Sequence, residues 1–347
     1  MISPARIGRG LNKKVGKFTG KTTEMKEFLF LTHEITDPYF NLASEEYLLK
    51  SRKENFIYLW RNSPAVIVGV NQNAFNEVNL SYTEKHGIKI VRRQTGGGAV
   101  YHDLNNLCYT VIAEYDENAD NYRKFTAPVI EYLNSLGVKA EFSGRNDIVI
   151  DGKKISGNAQ TVAGGRIMHH GTILFDTDMP ALEGALKPNP LKMQSKGINS
   201  VRKRVTNVKE YLKGYTITDF KNGLSEFFRK IGREYFLTEE DKCAINKLVK
   251  EKYSTFEWNM GRSPKGKNIF EYKFPFGVFT LNFDTADGKI CAADVSGDFF
   301  TDKDVKEFAE KLSGVKFTEK DMLAAFSDIS EYIRGANAEE IIGKMFS

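Results

Sequence analysis

Arg92-Arg93-Gln94-Thr95-Gly96-Gly97-Gly98-Ala99-Val100-Tyr101-His102-Asp103, continued by Leu104-Asn105-Asn106-Leu107-Cys108-Tyr109-Thr110, is the stretch on which the reading of this chain turns. Residues 87–91 alternate as a short strand and 107–113 form a second β-rich run, which places the glycines in a loop between strands. Three consecutive glycines carry no Cβ, so backbone can touch a ligand and N–H groups can converge on an anion. Arg92 and Arg93 are expected to set permanent positive charge beside them. Taken alone, the glycines also fit a flexible turn flanked by solvated arginines; His102 and Asn106 just downstream weigh toward a site.

The loop is no P-loop, since no Gly-Lys-Ser/Thr closes it, and no dinucleotide fingerprint, since the GxGxxG spacing and a following helix are missing. Working outward, residues 27–31 and 56–60 read as buried strands, 65–69 as another, and 39–50 as a helix whose Leu42, Glu45, Glu46 and Leu49 suit an amphipathic stripe. Helices are expected over 79–86 and 122–136. Asp151-Gly152 is a hairpin turn, and Lys154 begins the returning strand just before Ser156-Gly157. A lysine after a hairpin is ordinarily a solvated edge residue. Adjacent His169 and His170 on the strand 166–175 point to opposite faces, which argues against a two-histidine metal site. Residues 188–205, rich in Pro, Gly and Lys, read as a mobile cover bringing positive charge toward a phosphate, or as a solvated basic loop.

With 347 residues, 41% of them hydrophobic and 12% aromatic, the chain has material for two domains. No apolar run approaches the ~20 residues of a membrane span. The pI near 8.8 is a local effect. Arg6, Arg9, Lys13, Lys14, Lys17 and Lys21 face only Glu24 in residues 1–24, and without this segment acidic and basic residues balance. Attraction to nucleic acid is therefore not expected. The leader lacks an apolar core and its glycines would spoil an amphipathic helix, so a disordered extension is favoured over a targeting peptide. Cys108, Cys243 and Cys291 form no CxxC pair, and a reducing cytoplasm fits, with mitochondria the alternative should residues 1–24 be a transit peptide.

From residue 216 the chain reads as helices over 216–231 and 238–252. A Gly/Pro/Lys boundary follows at 259–267, then a small α+β unit with strands over 278–284 and 290–295 and helices over 302–312, 319–326 and 338–345. The expected organisation is a catalytic domain at 25–258 and an accessory domain at 268–347.

Taken together, these motifs resemble the lipoate-protein ligases, which share a catalytic fold with biotin ligases and octanoyltransferases. The similarity rests on Trp60-Arg61-Asn62, the arginine-glycine loop, Asn146-Asp147, Lys154-Ile155-Ser156-Gly157, His169-His170-Gly171-Thr172, Lys196-Gly197-Ile198-Asn199-Ser200 and Gly297-Asp298-Phe299-Phe300. The resemblance implies an α/β (α+β) catalytic domain with mixed, mainly antiparallel sheets and a small C-terminal α+β domain. It also implies two steps, adenylation of lipoate by Mg-ATP and acyl transfer to a lysine of an acceptor domain, an E2 subunit or the glycine cleavage H protein. No nucleic acid, membrane or tightly bound metal enters this scheme.

By the same resemblance, Lys154 holds the lipoate carboxylate and adenylate phosphate as the catalytic cation. Arg93, Thr95, Gly96, Gly97 and Gly98 cradle the lipoate head and phosphates, and Ala99, Val100, Tyr101 and His102 lie near the nucleotide. Trp60 and His170 line the lipoyl pocket, with Asn106, Ser156, Gly157, Ala159, Gly171 and Thr172 contributing to it. Asn146, Asp147 and Lys196 serve phosphate, and Asp147 also magnesium. The alternative is a transferase passing the acyl group through a cysteine. No cysteine neighbours the His169-His170-Gly171 motif, and Cys108, in an apolar strand, reads as a small buried hydrophobe. The small C-terminal domain favours the ligase.

Overall fold

Phe28-Leu29-Phe30-Leu31-Thr32 is apolar on both faces, as a strand must be when helices cover both sides of its sheet. In the computed structural model, which describes residues 27–187, 205–261, 268–286 and 288–346, it is β1 (Phe28–Thr32). It pairs in parallel with β2 (Asn55–Arg61) on one side and with β11 (Gly232–Tyr235) on the other. Antiparallel pairing then runs from β2 through β6 (Asn106–Glu114), β10 (Arg166–Leu174), β9 (Lys153–Ala163) and β8 (Asp147–Ile150) to β7 (Ala140–Ser143). The sheet is thus mixed and mainly antiparallel. Phe30, Ile57, Leu59, Leu107 and Tyr109 pack on one face with the helices Asn121–Ser135 and Ile217–Arg229. Leu31, Phe56, Tyr58, Trp60 and Ile112 pack on the other with α1 (Pro38–Ser51) and the helix Glu239–Leu248. Each fully buried Phe or Leu contributes about 1.5–3 kcal/mol.

The helix α1 opens where Asp37 accepts from Tyr39 N and Pro38 occupies the first turn. It departs from the amphipathic stripe expected of it: Phe40 through Glu46, with Leu48 and Leu49, are all buried. Two carboxylates are tolerated there because each is fully engaged. Glu46 accepts from Tyr253 Oη at 2.7 Å and from Lys252 and Lys50, and Glu45 turns toward the site described below.

A second sheet, β4-β3-β5, is built from β3 (Ala65–Val68), β4 (Lys89–Arg92) and β5 (Val100–His102). Residues 100–102, read from sequence as loop, pair antiparallel with β3; three residues after a glycine run are too short for periodicity to betray. β4 and β5 flank β3 from opposite sides, so the glycine loop, residues 93–99, must cross the end of β3. Gly69 lies under the crossing, where a Cβ would stand 2.2 Å from Gly97 O. The β8–β9 hairpin turns through Asp151 (φ 50°) and Gly152 (φ 73°), the left-handed pair that Asp-Gly predicts.

The C-terminal unit is an antiparallel sheet of β12 (Asn268–Phe274), β13 (Gly277–Ala286) and β14 (Lys289–Gly297), with helices Val305–Lys311, Glu319–Ala325, Ile329–Tyr332 and Ala338–Met345. Phe276, Phe279, Leu281, Phe299, Phe308 and Phe326 form its own core. Of the stretch read as linker, Asn259 and Met260 are instead buried against the larger domain, with Asn259 Oδ1 accepting from Arg92 N at 2.9 Å. Residues 262–267 and the basic segment 1–24 lie outside the described residues. No described helix is long and apolar enough to cross a membrane.

Candidate active site

The end of β3 where the glycine loop crosses faces a cavity of about 290 Å³. Its inner wall is buried and largely apolar, formed by Leu42, Trp60, Ile67, Cys108 and Ala159 with His102 and His170. Partly exposed residues ring its mouth: Gly97, Gly98, Ala99 and Val100 on one side, Asn146, Lys154, Gly157 and Thr172 on the other, and Lys273 and Asp298 from the C-terminal unit. Gly171 completes the wall but serves its neighbours, since a Cβ there would meet Asn158 Oδ1 at 2.0 Å and the Tyr109 ring at 2.7 Å.

The two loop arginines part company. Arg93 is buried against the cavity, yet its guanidinium is spent on the loop itself: Nε donates to Thr95 Oγ1 at 2.9 Å, Nη1 to Ile67 O, and Nη2 to Gly96 O and Gly98 O. Burial lowers its pKa to about 10, still well above neutral pH. Arg92 does not sit beside the glycines as expected. It turns the other way, as strand alternation demands, and donates to Gly69, Val70, Gln72, Trp258 and Asn259 carbonyls. Both arginines fold the backbone, leaving the loop's Gly97, Gly98, Ala99 and Val100 on the cavity.

A chain of hydrogen bonds fixes the loop from behind. Glu45 of α1 accepts from Thr110 Oγ1 (2.6 Å) and His170 Nδ1 (2.9 Å). With Nδ1 as donor, His170 Nε2 accepts from the Thr95 hydroxyl at 2.8 Å, and that oxygen takes Arg93 Nε. Trp60 Nε1 joins through Thr110 Oγ1 at 3.0 Å. Thr95 and Glu45 therefore act through the residues that line the cavity. Glu45 escaped the sequence reading; the available signal was a Glu-Glu pair on an otherwise apolar helix.

Lys154 stands at the mouth with Nζ 2.6 Å from Asp147 Oδ1, and both side chains are about 30% exposed. Its amine lies over Gly157, where a Cβ would approach within 2.9 Å, so Gly157 is the space the lysine needs. Asn146 Nδ2 donates to Asn158 O, and Asn158 Nδ2 returns to Asn146 O, locking the wall beside Lys154.

Several expected residues stand one layer back. Gly96 faces the C-terminal unit, with Phe299 O 2.3 Å from where its Cβ would be. Tyr101 points to the far side of β5 among Val66, Val68 and Met260, where burial pushes its phenol up to about 12. Ser156 is buried and accepts from Asn158 Nδ2, and Asn106 is buried with Nδ2 3.5 Å from Cys108 Sγ. Lys196 lies outside the described residues. Leu42, Ile67, Asn158, Lys273 and Asp298 were not named from sequence as cavity residues.

Cys108 is buried as expected but lines the cavity, with Sγ 3.6 Å from His102 Nδ1. That nitrogen also takes Asn62 Nδ2 at 3.1 Å, and burial drives His102 down to about 3, so the ring is neutral. Burial, reinforced by the charge of Glu45, pushes the Cys108 thiol well above its usual range. The pair is a thiol beside a neutral imidazole, not a primed thiolate.

A family profile described as "Lipoyl protein ligase A/B catalytic domain" matches residues 37–229, and "Bacterial lipoate protein ligase C-terminus" matches 263–344. Lipoate-protein ligase LplJ of Bacillus subtilis (strain 168) is 41% identical over 327 residues, which cover 91% of this chain and 97% of that protein. Lipoate-protein ligase 1 of Staphylococcus aureus is 43% identical over 321 residues, 90% of this chain and 98% of the relative. Among solved structures, a bipartite lipoate protein ligase from Thermoplasma acidophilum, described with its E2 lipoyl domain, aligns at TM-score 0.60 and 33% identity over 70% of this chain and 99% of that one. A lipoate-protein ligase A bound with ATP aligns at TM-score 0.59 and 31% identity, covering 68% and 99%.

Proposed function

The chain belongs to the lipoate-protein ligase family, and from that premise we propose that it joins free lipoate to acceptor lysines at the expense of ATP. One observation carries the reading: a single cavity runs from an apolar inner wall at Leu42, Trp60, Ile67 and Cys108 to a mouth holding Lys154 and the glycine loop. That polarity matches a molecule with an apolar tail and a carboxylate head.

In the first step a lipoate carboxylate oxygen attacks the α-phosphorus of ATP and pyrophosphate leaves. In the second, the acceptor amine attacks the acyl carbon and AMP leaves. Neither step needs a side-chain nucleophile. Two anions must meet in the first, and a positioned cation with converging N–H groups lowers that repulsion most where charge develops. Lys154 is the catalytic cation in this reading, and exchange of Asp147 Oδ1 for substrate oxygens is the local rearrangement. The loop backbone around Gly98 and the Asn146 side chain face the phosphates, while Trp60, His170 and Ala159 hold the acyl chain.

Magnesium is assigned to the nucleotide. Among the described residues no three His, Cys, Asp or Glu side chains converge as a metal site, and Asp147, paired with Lys154 at the mouth, is the carboxylate assigned to complete a phosphate-borne ion. The acceptors are lipoyl domains of E2 type and the glycine cleavage H protein. The reducing cytoplasm suits the exposed Cys243 and Cys291. Residues 25–258 carry catalysis, and 268–347 assist the ATP-dependent step. The competing thioester transferase asks Cys108 to be a thiolate, against its surroundings.

The deciding experiment is mass spectrometry of an apo acceptor domain incubated with protein, lipoate and magnesium, with and without ATP. A lipoyl mass gain that requires ATP is expected. No gain, or ATP-independent gain from an acyl-carrier donor, overturns the reading.

A further inference from the structure

The cavity is not closed by one domain. Lys273, the penultimate residue of β12 before its hairpin to β13, lines the same cavity as Lys154. Two anchors hold that hairpin in place. Arg145, adjacent to the cavity residue Asn146, donates Nη1 to Phe276 O at 3.2 Å and lies 4.8 Å over the Phe300 ring. At the end of β14 Gly297 N donates to Asn71 O at 2.7 Å, and just beyond it Phe299 O accepts from Gly97 N at 3.4 Å. The small domain is therefore seated on the glycine loop by main-chain bonds, and this seating is what brings the lysine to the mouth.

We propose that Lys273 is a second cation for the adenylation step, supplied by the C-terminal domain to the phosphates of ATP opposite Lys154. The inference rests on the ligase reading above. The charges facing the mouth make the case: Arg93 is held by backbone carbonyls and Thr95, whereas Lys154 and Lys273 line the same space from the two domains, with Asp147 beside the first and with Asp298, whose Oδ1 accepts from Val278 N at 2.6 Å, from the small domain. A lipoate carboxylate and a triphosphate together bring several negative charges to this space, more than Lys154 alone offsets. The transfer step has already lost pyrophosphate and has no such need. Lys273 thus acts on formation of the adenylate and is dispensable for its consumption.

The test compares wild type, Lys273→Met and Lys273→Arg in two assays. One measures lipoyl-AMP formation from lipoate and Mg-ATP; the other supplies pre-formed lipoyl-AMP and an apo lipoyl domain. Lys273→Met should raise the KM for ATP and slow adenylation by about 100- to 1,000-fold, the range for losing one group that stabilises developing charge, with transfer within about twofold of wild type. Lys273→Arg should recover most of the loss. Adenylation by Lys273→Met at the wild-type rate overturns the proposal. Equal loss in both assays with a lowered melting temperature also overturns it, by making the lysine structural. Failure of the wild type itself to form lipoyl-AMP strikes the ligase reading instead.

Discussion

Replacing Gly96 by alanine separates the two faces of the glycine loop. The φ of Gly96 is not left-handed, so alanine brings no backbone strain, and the carbonyl that Arg93 holds is untouched. The new methyl, however, would sit 2.3 Å from Phe299 O and 3.2 Å from Phe299 C and Phe300 Cα. Backbone on both sides must part by about 1 Å to reach ordinary van der Waals separation. The Gly97 N to Phe299 O bond, already 3.4 Å long, is lost, and the 2.7 Å bond from Gly297 N to Asn71 O is strained. At about 1 kcal/mol for each, with some loss of packing, docking weakens by about 2–3 kcal/mol, a factor of roughly 30 to 150. If adenylation requires the docked domain, lipoyl-AMP formation from ATP should fall by that factor, while transfer from pre-formed lipoyl-AMP stays within about threefold. The assay is single-turnover formation of lipoyl-AMP beside acceptor modification from supplied adenylate. Adenylation at or above the wild-type rate would refute the reasoning, as would equal loss of both activities.

Lys154→Ala should abolish lipoylation and leave the melting temperature nearly unchanged, since the exposed pair with Asp147 contributes little to stability; removing a cation from developing charge costs on the order of 3–4 kcal/mol of barrier, and near-normal turnover by the folded variant would discard its role. Cys108→Ser should retain most activity, losing what a hydroxyl costs on an apolar wall, and an acyl-enzyme trapped on wild-type Cys108 would instead identify a transferase. Acid should destabilise the fold early. Burial above all lowers His33 to about 4 and His102 and His169 to about 3, so the unfolded chain binds protons near pH 6.5 that the folded chain refuses. Their contribution is intact above that pH and is lost as pH falls toward 4, by about 1.4 kcal/mol per pH unit for each. Denaturant unfolding at pH 7, 6 and 5 checks this, and an unchanged free energy across that range would contradict the burial.

Local signals carried the sequence reading furthest. Asp-Gly announced its hairpin, and strand alternation parts the two histidines as expected, His170 at the cavity and His169 against Tyr109 and Gln160, though only the resemblance named which of them meets the pocket. What stayed hidden depends on long-range packing. Nothing near Glu45 says that Thr110 and His170 will satisfy it, because those partners lie 65 and 125 residues away. Lys273 lies outside the strands read from the sequence, and nothing beside it marks it until its domain is seated on residues 71 and 97. Arg92 and Arg93 look equivalent in sequence, and only the path of the chain decides which one meets the cavity.

The pairing of β1 with β11 bears on how the chain is made. Phe28 stands beside Gly232, so the parallel edge of the large sheet joins segments about two hundred residues apart. Such closure is entropically unfavourable until the intervening elements have condensed, and parallel pairing at this separation is slow. During synthesis the apolar Phe28-Leu29-Phe30-Leu31 segment must emerge first and wait for residue 235 before its outer edge is sealed. In that interval its outer edge is an open hydrophobic strand edge, the part of the catalytic domain most in need of a chaperone and the first to nucleate aggregation when the C-terminal half is truncated.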